Sequence, residues 1–159
     1  MRSITVEDKE YIIESHATIY HREYQYDHTF REFIEAKVYD FMENSDKKKE
    51  NIWILEVEGE PKGSISLTRV DNETAQLGLF LVDPSLRGSG AGFKLIQKLI
   101  DFSKEQEYRT IILWTNRELE AARHLYQKCG FKLTETKRTH KSNKELLEEK
   151  WELFLYEEK

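Results

Sequence analysis

Cysteine is almost missing from this chain: Cys129 stands alone among 159 residues. One thiol cannot close an internal disulfide or build a CxxC metal pattern, so a reducing, cytoplasmic setting is expected. Proline is nearly as scarce, with only Pro61 and Pro84, both beside turns. No apolar run reaches membrane-spanning length, and the opening MRSITVEDKE lacks the apolar core of a secretory signal. There is no repeat, no low-complexity tract and no linker, so residues 1–159 are expected to form a single domain. Basic blocks are also lacking. Lys47-Lys48-Lys49 reads as a solvated loop, and the net charge of −5 is spread with both signs interspersed. That pattern supports neither a nucleic-acid nor a membrane partner. Monomer and homodimer both stay open.

What is present is a soluble pattern: 35 % charged and 38 % hydrophobic residues. Arg2 to Thr5 reads as an edge strand, and Thr5 with Asp8 as an imperfect capping box. A helix to about Glu23 follows, with Ile12, His16, Ile19 and Tyr20 on its apolar face. A second helix, about Thr29 to Glu43, carries Phe30, Phe33, Ile34, Val38 and Phe41. Strands at Ile52–Val57, Lys62–Val70 and Thr74–Val82 read as an antiparallel meander. Gly78, inside the last of these, points to a bulge or a close approach. A helix from about Gly90 to Gln106, an apolar strand Thr110–Trp114 buried on both faces, and a helix Glu118–Lys128 capped by Gly130 come next. Strands at Phe131–Lys137 and Trp151–Tyr156 are expected to flank a polar segment, His140 to Glu149. The order βααβββαβαββ predicts an α/β (α+β) domain with a mixed sheet, not a doubly wound one.

The chemistry concentrates in Arg87-Gly88-Ser89-Gly90-Ala91-Gly92, between a strand and a helix start. A helix N-terminus offers free backbone N–H groups and partial positive charge, and small residues let a phosphate approach. Three glycines in five positions are costly to order without such a ligand, so a diphosphate is the economical reading. The Walker spacing is absent, and a dinucleotide fingerprint would need glycine where Phe93 stands. An ordinary glycine-rich helix entry is the bland alternative.

The spacing Arg87…Gly90…Gly92 after a hydrophobic strand resembles motif A of the GNAT superfamily of acetyl-CoA-dependent acetyltransferases. Downstream, Leu125-Tyr126…Gly130-Phe131 resembles the second motif of that superfamily, in the expected order. Ile52-Trp53-Ile54, Thr74-Ala75-Gln76-Leu77, Leu113-Trp114-Thr115-Asn116 and Trp151-Glu152-Leu153 are similar to the acetyltransferase half of proteins that fuse a MarR-type regulator to a GNAT domain. No residues remain for a winged helix, so the expectation is the acetyltransferase module alone.

The resemblance implies a mostly antiparallel sheet with about four helices and two splayed parallel strands in the middle. It implies acetyl-CoA as co-substrate, with Leu81 and Val82 on the pantetheine amides and Arg87, Gly88, Ser89, Gly90, Ala91 and Gly92 on the pyrophosphate. The Arg87 side chain either adds charge there or only orders the turn. Asn116 is a further cofactor ligand by this reading, although it lies ten residues before Tyr126 rather than seven. Tyr126 is the candidate acid for the departing thiolate; the competing reading is core packing beside Leu119, Ala122 and Cys129. Cys129 reads as packing, not as a nucleophile. The base has several candidates. Gln76 stands where some relatives have Glu, which leaves Glu73 earlier on the strand, His16, or a water chain. His16, Tyr20 and Tyr24 are the expected acceptor-binding residues. His16, His21 and His28, spaced by five and seven, give no metal-ligand pattern. The expected reaction is acetyl transfer to a primary amine, small molecule before protein. The alternative is a non-catalytic acyl-CoA-binding regulatory module.

Overall fold

The computed structural model describes residues 1–141 and 144–156. The strands are β1 (Arg2–Ser3), β2 (Asn51–Val57), β3 (Glu60–Arg69), β4 (Thr74–Val82), β5 (Thr110–Asn116), β6 (Lys132–Lys141) and β7 (Lys144–Phe154). The helices are α1 (Lys9–Tyr24), α2 (His28–Asn44), α3 (Ala91–Glu105) and α4 (Glu120–Lys128). Among the described residues one sheet holds all seven strands in the order β1-β2-β3-β4-β5-β7-β6, and only β4 and β5 pair in parallel. This is the expected mixed, mostly antiparallel architecture with four helices. Among the described residues no helix is long and apolar enough to cross a membrane.

Period-two alternation divides the sheet between two cores. On β2, Ile52 and Ile54 face α1 and α2, where they meet Ile12, Ile13, Ile34 and Val38. Trp53 faces the other way, with Ile65, Leu67, Leu95, Leu99, Ile111 and Leu113, the core beneath α3. Strand β4 changes parity midway. Ala75 and Leu77 belong to the α3 core, but Leu79 joins the α1–α2 core. The cause is a bulge: Ser64 pairs with Leu81 and Ser66 with Gly78, so β4 carries one extra residue. Leu79 has φ 43°, and the buried Ser64 hydroxyl donates to its carbonyl at 2.7 Å. The bulge expected at Gly78 is therefore present one residue on, in a backbone conformation unusual for leucine.

Two expectations change. Strand β5 is not buried on both faces. Ile111, Leu113 and Thr115 are buried, whereas Trp114 and Asn116 line a cleft on the α1–α2 side. The polar segment expected between two short strands, His140 to Glu149, is mostly strand, because β6 and β7 form a long hairpin paired from Lys132↔Glu152 to Lys141↔Lys144. Its polarity has a physical reason: β6 is the sheet's last strand and is mostly exposed, so it needs no apolar face. Residues 142–143 lie outside the described residues.

Candidate active site

Strands β4 and β5 pair only at Thr74↔Thr110, Ala75↔Ile111 and Gln76↔Ile112, then part. Beyond Gln76 the edge of β4 that faces β5 is unpaired, which leaves its backbone amides and carbonyls available along a gap. Val82, at the end of that edge, leads into a 3₁₀ turn (Pro84–Leu86) and then α3. Pro84 sits at the turn's first position, and the Asp83 carboxylate accepts from the Ser85 amide. Gly88 and Gly90 have φ 79° and 84°, and Gly90 is the N-cap of α3. A Cβ at either would meet nothing within 4 Å, so their role is the left-handed backbone and the open space above it. The Ser89 amide donates to Leu86, and the Lys94 amide to Gly90. The amides of Gly92 and Phe93 belong to the first helical turn and have no helical acceptor, so they point outward with the dipole. Gly92 serves another purpose. A Cβ there would lie 2.8 Å from Leu125 Cδ1 and 3.3 Å from Phe80 Cζ, so its bareness lets α3 pack on α4.

At the other end of the gap lies a cleft of about 750 Å³, bounded by α1, α2, β4, β5, α4 and the β6–β7 hairpin. Tyr126 reaches it from α4 through the parted strands, between Phe80 and Phe131 with ring centroids at 5.9 and 6.0 Å. The phenol is buried and makes no hydrogen bond among the described residues. Burial, with a smaller contribution from Tyr20, pushes its pKa far above the ordinary value, so it keeps its proton. Tyr20 and Tyr26 stack at 5.7 Å with 9° between planes. The Asn116 amide donates to the Tyr26 hydroxyl at 2.7 Å. Burial first, and hydrogen bonding to Glu118 second, raise the Tyr26 phenol.

The sequence matches the Acetyltransferase (GNAT) family over residues 13–131, well over half of the chain. The chain belongs to the GNAT acetyltransferase family. An uncharacterized N-acetyltransferase of Methanocaldococcus jannaschii is 30 % identical over 91 residues, covering 54 % of this chain and 40 % of that protein. The chain spans about two fifths of the length of the curated relatives it matches. An N-acetyltransferase structure from Staphylococcus aureus Mu50 is 25 % identical, covers 98 % of this chain and 97 % of its own, and superposes with a TM-score of 0.77. The yncA structure from Salmonella typhimurium, solved with its cofactor acetyl-CoA, is 18 % identical, covers 99 % of this chain and 94 % of its own, and shares the fold at a TM-score of 0.75.

In this GNAT domain the residues singled out from sequence fall into three groups. His16, Tyr20, Asn116 and Tyr126 all line the cleft. Leu81, Val82 and the run Arg87 to Gly92 lie along the gap and at the start of α3. Glu73 and Tyr24 do not line the cleft. Glu73 precedes the first residue of β4, at the paired end away from the gap, with its side chain 71 % exposed and near Arg109 at 3.9 Å. Tyr24 packs behind Tyr20 and Tyr26, at 5.7 and 6.0 Å between ring centroids. The Arg87 guanidinium is bound to Glu23 on α1, which favours turn ordering over free charge. Burial raises the Cys129 thiol, which keeps it protonated, and it does not line the cleft.

Sequence reasoning missed the cleft's far wall: Trp114, Lys137 and Glu148, with Lys37 across from them. Glu148 is 6 % exposed. Its signal was the alternation Leu146, Glu148, Lys150 continuing upstream of Trp151, which puts Glu148 on the face opposite Trp151.

Proposed function

We propose that this chain is an acetyl-CoA-dependent N-acetyltransferase acting on a small primary amine. The observation that supports this most is the gap between β4 and β5, with the outward amides of α3 at one end and the Tyr126 phenol at the other. The bare, left-handed Gly88 and Gly90 and the first-turn amides of Gly92 and Phe93 fit a pyrophosphate. The unpaired edge through Leu81 and Val82 fits the pantetheine amides. Acetyl-CoA, when bound, supplies a thioester carbonyl that an amine attacks directly. Tyr126 then holds a proton for the leaving sulfur, and burial ensures that it has one to give. Asn116 and Tyr26 fix each other beside that position. A concave cleft of this size, partly open to solvent, suits a small-molecule acceptor. A cytoplasmic location is part of the same reading, as a protein with one cysteine has no disulfide to protect.

Tyr126→Phe tests the chemistry. Turnover is expected to fall at least about tenfold, with acetyl-CoA affinity by calorimetry within about twofold of the parent. Equal turnover would remove Tyr126 as the acid. The regulator-like sequence pieces motivate the other reading, a non-catalytic acyl-CoA-binding module. Tight acetyl-CoA binding with no CoA release on any amine would favour it.

A further inference from the structure

The sheet face beneath α2 changes character from strand to strand. On β2 it carries Ile52, a core residue; Ser66 stands opposite on β3, and Gly78 opposite that on β4. The next rung on the same face pairs Thr68 with Gln76. These residues line a second hollow of about 280 Å³, and Gln76, Gly78 and Leu79 belong to its wall and to that of the acceptor cleft. Gly78 is the crossing between the two. Its φ lies outside the left-handed range, so the backbone there does not require glycine. A Cβ would lie 3.1 Å from Ser66 Oγ, so the bare position keeps the way over β4 open, with that oxygen at its edge. The charged groups of the hollow are committed already. Asp40 accepts from Asn44 Nδ2 at 2.9 Å, and the two Glu50 oxygens accept from the Asp46 and Arg69 amides at 2.7 and 2.9 Å. The Arg69 guanidinium is bound to Asn72, and the Lys37 ammonium lies 5.0 Å from the centre of the Phe33 ring. The uncharged groups are in the opposite position. Ser66 is 4 % exposed, and neither its hydroxyl, the Thr68 hydroxyl nor the Gln76 carboxamide makes a hydrogen bond among the described residues.

We propose, resting on the acetyltransferase reading above, that the acceptor is an elongated amine whose tail carries uncharged hydrogen-bonding groups such as hydroxyls. The amine lies in the cleft, and the tail crosses Gly78 and is held by Ser66, Thr68 and Gln76. A polar rung pair on a face that is otherwise apolar adds nothing to the core, and a buried hydroxyl without a partner destabilises the fold until something supplies the bond. A neutral polar tail supplies it. An alkyl tail would leave the same groups unpaired, so the site rejects it by what it fails to satisfy. A charged tail would gain little, because the charges around the hollow already have partners.

The test is a thiol-release assay on the full chain with saturating acetyl-CoA. Its acceptors are n-propylamine and, in hexyl and octyl series, the n-alkylamine, the ω-amino alcohol and the ω-amino carboxylate. The tail group is too remote to change the basicity of the amine much, so nucleophilicity is nearly matched within a series. In at least one series the amino alcohol is expected to exceed both others by about fivefold or more in kcat/KM. The double variant Ser66→Ala with Thr68→Val should lose that advantage, falling about fivefold on the amino alcohol while keeping its rate on the alkylamine. Gly78→Ala should lose about fivefold on the amino alcohol and keep its rate on n-propylamine, which is too short to cross. A variant damaged in its fold would lose on every acceptor alike, and such uniform losses would overturn the proposal. So would equal use of alcohol and alkylamine in both series, a preference for the carboxylate, or an advantage that survives the double variant. Acetyl-CoA binding in calorimetry with no turnover of the panel would overturn the tail assignment and leave the cofactor assignment standing. Absence of acetyl-CoA binding would overturn the acetyltransferase reading beneath it.

Discussion

His16 has two ring nitrogens in different circumstances. Nδ1 lies 2.8 Å from the Ile12 carbonyl, which can only accept, so Nδ1 carries the proton. Nε2 is buried and has no hydrogen-bond partner among the described residues. Burial lowers the ring's pKa to about 4, outweighing the carbonyl that raises it. A group that weakly basic is a poor base for an ammonium; it is a fixed hydrogen-bond acceptor on the cleft wall. The shift has a stability consequence. The unfolded chain takes up a proton near 6.5 and the folded chain only near 4, so stability falls as pH drops through that window. By pH 5 the loss is roughly 2 kcal/mol relative to neutral pH. Urea midpoints at pH 7.5 and pH 5 should separate further in the parent than in His16→Gln. Equal separations would mean that His16 does not carry the acid sensitivity. The position of His16 on the apolar face of α1 was legible from spacing alone. Its tautomer was not, since that depends on which nitrogen finds the Ile12 carbonyl.

At the scale of elements, the entry to α3 shows why the glycine-rich run was readable. Its signal is local: strand, turn residues and helix start are contiguous in sequence, and Gly88, Gly90 and Gly92 sit within it. The structure separates roles that the letters alone merge, with Gly90 required for its φ of 84° and Gly92 for its contact with Leu125. Gly90→Ala and Gly90→Glu should therefore lose stability alike, by about 1 kcal/mol, because both place a Cβ in a left-handed conformation. Acetyl-CoA affinity should tell them apart. The alanine variant loses little, and the glutamate variant loses about a hundredfold, since its carboxylate lies where a pyrophosphate would. Calorimetry and chemical denaturation on the pair check both halves, and equal affinities would sink the cradle assignment. The β6–β7 hairpin is the opposite case. Its pairing is set by β7 slotting between β5 and β6, a non-local choice, and its outer strand is polar because it is exposed. Period-two patterning fades on such a strand; on its partner β7 the alternation persists, but Glu148 and Lys150 put charged letters at its positions, so Glu148 reads as part of a polar segment rather than as a buried wall residue.

Across the whole molecule, the two halves of the site belong to opposite layers. The cradle opens α3, which covers one face of the sheet, while α1 and α2 wall the acceptor cleft on the other. Glu23, at the C-terminal end of α1, joins them by binding the Arg87 guanidinium at the rim of the cradle. An anion arriving at α3 therefore competes with Glu23 for Arg87. Glu23→Gln should release the guanidinium and tighten acetyl-CoA binding about threefold at low ionic strength, with the gain shrinking as salt is added. The same change should cost little stability, because Arg87 is largely exposed and the pair is screened by water. Calorimetric titrations of parent and variant at two salt concentrations measure the difference directly. Weaker binding in the variant would carry the opposite meaning: Glu23 would then be holding Arg87 and the turn in the shape that the pyrophosphate needs, and the layers would cooperate rather than compete.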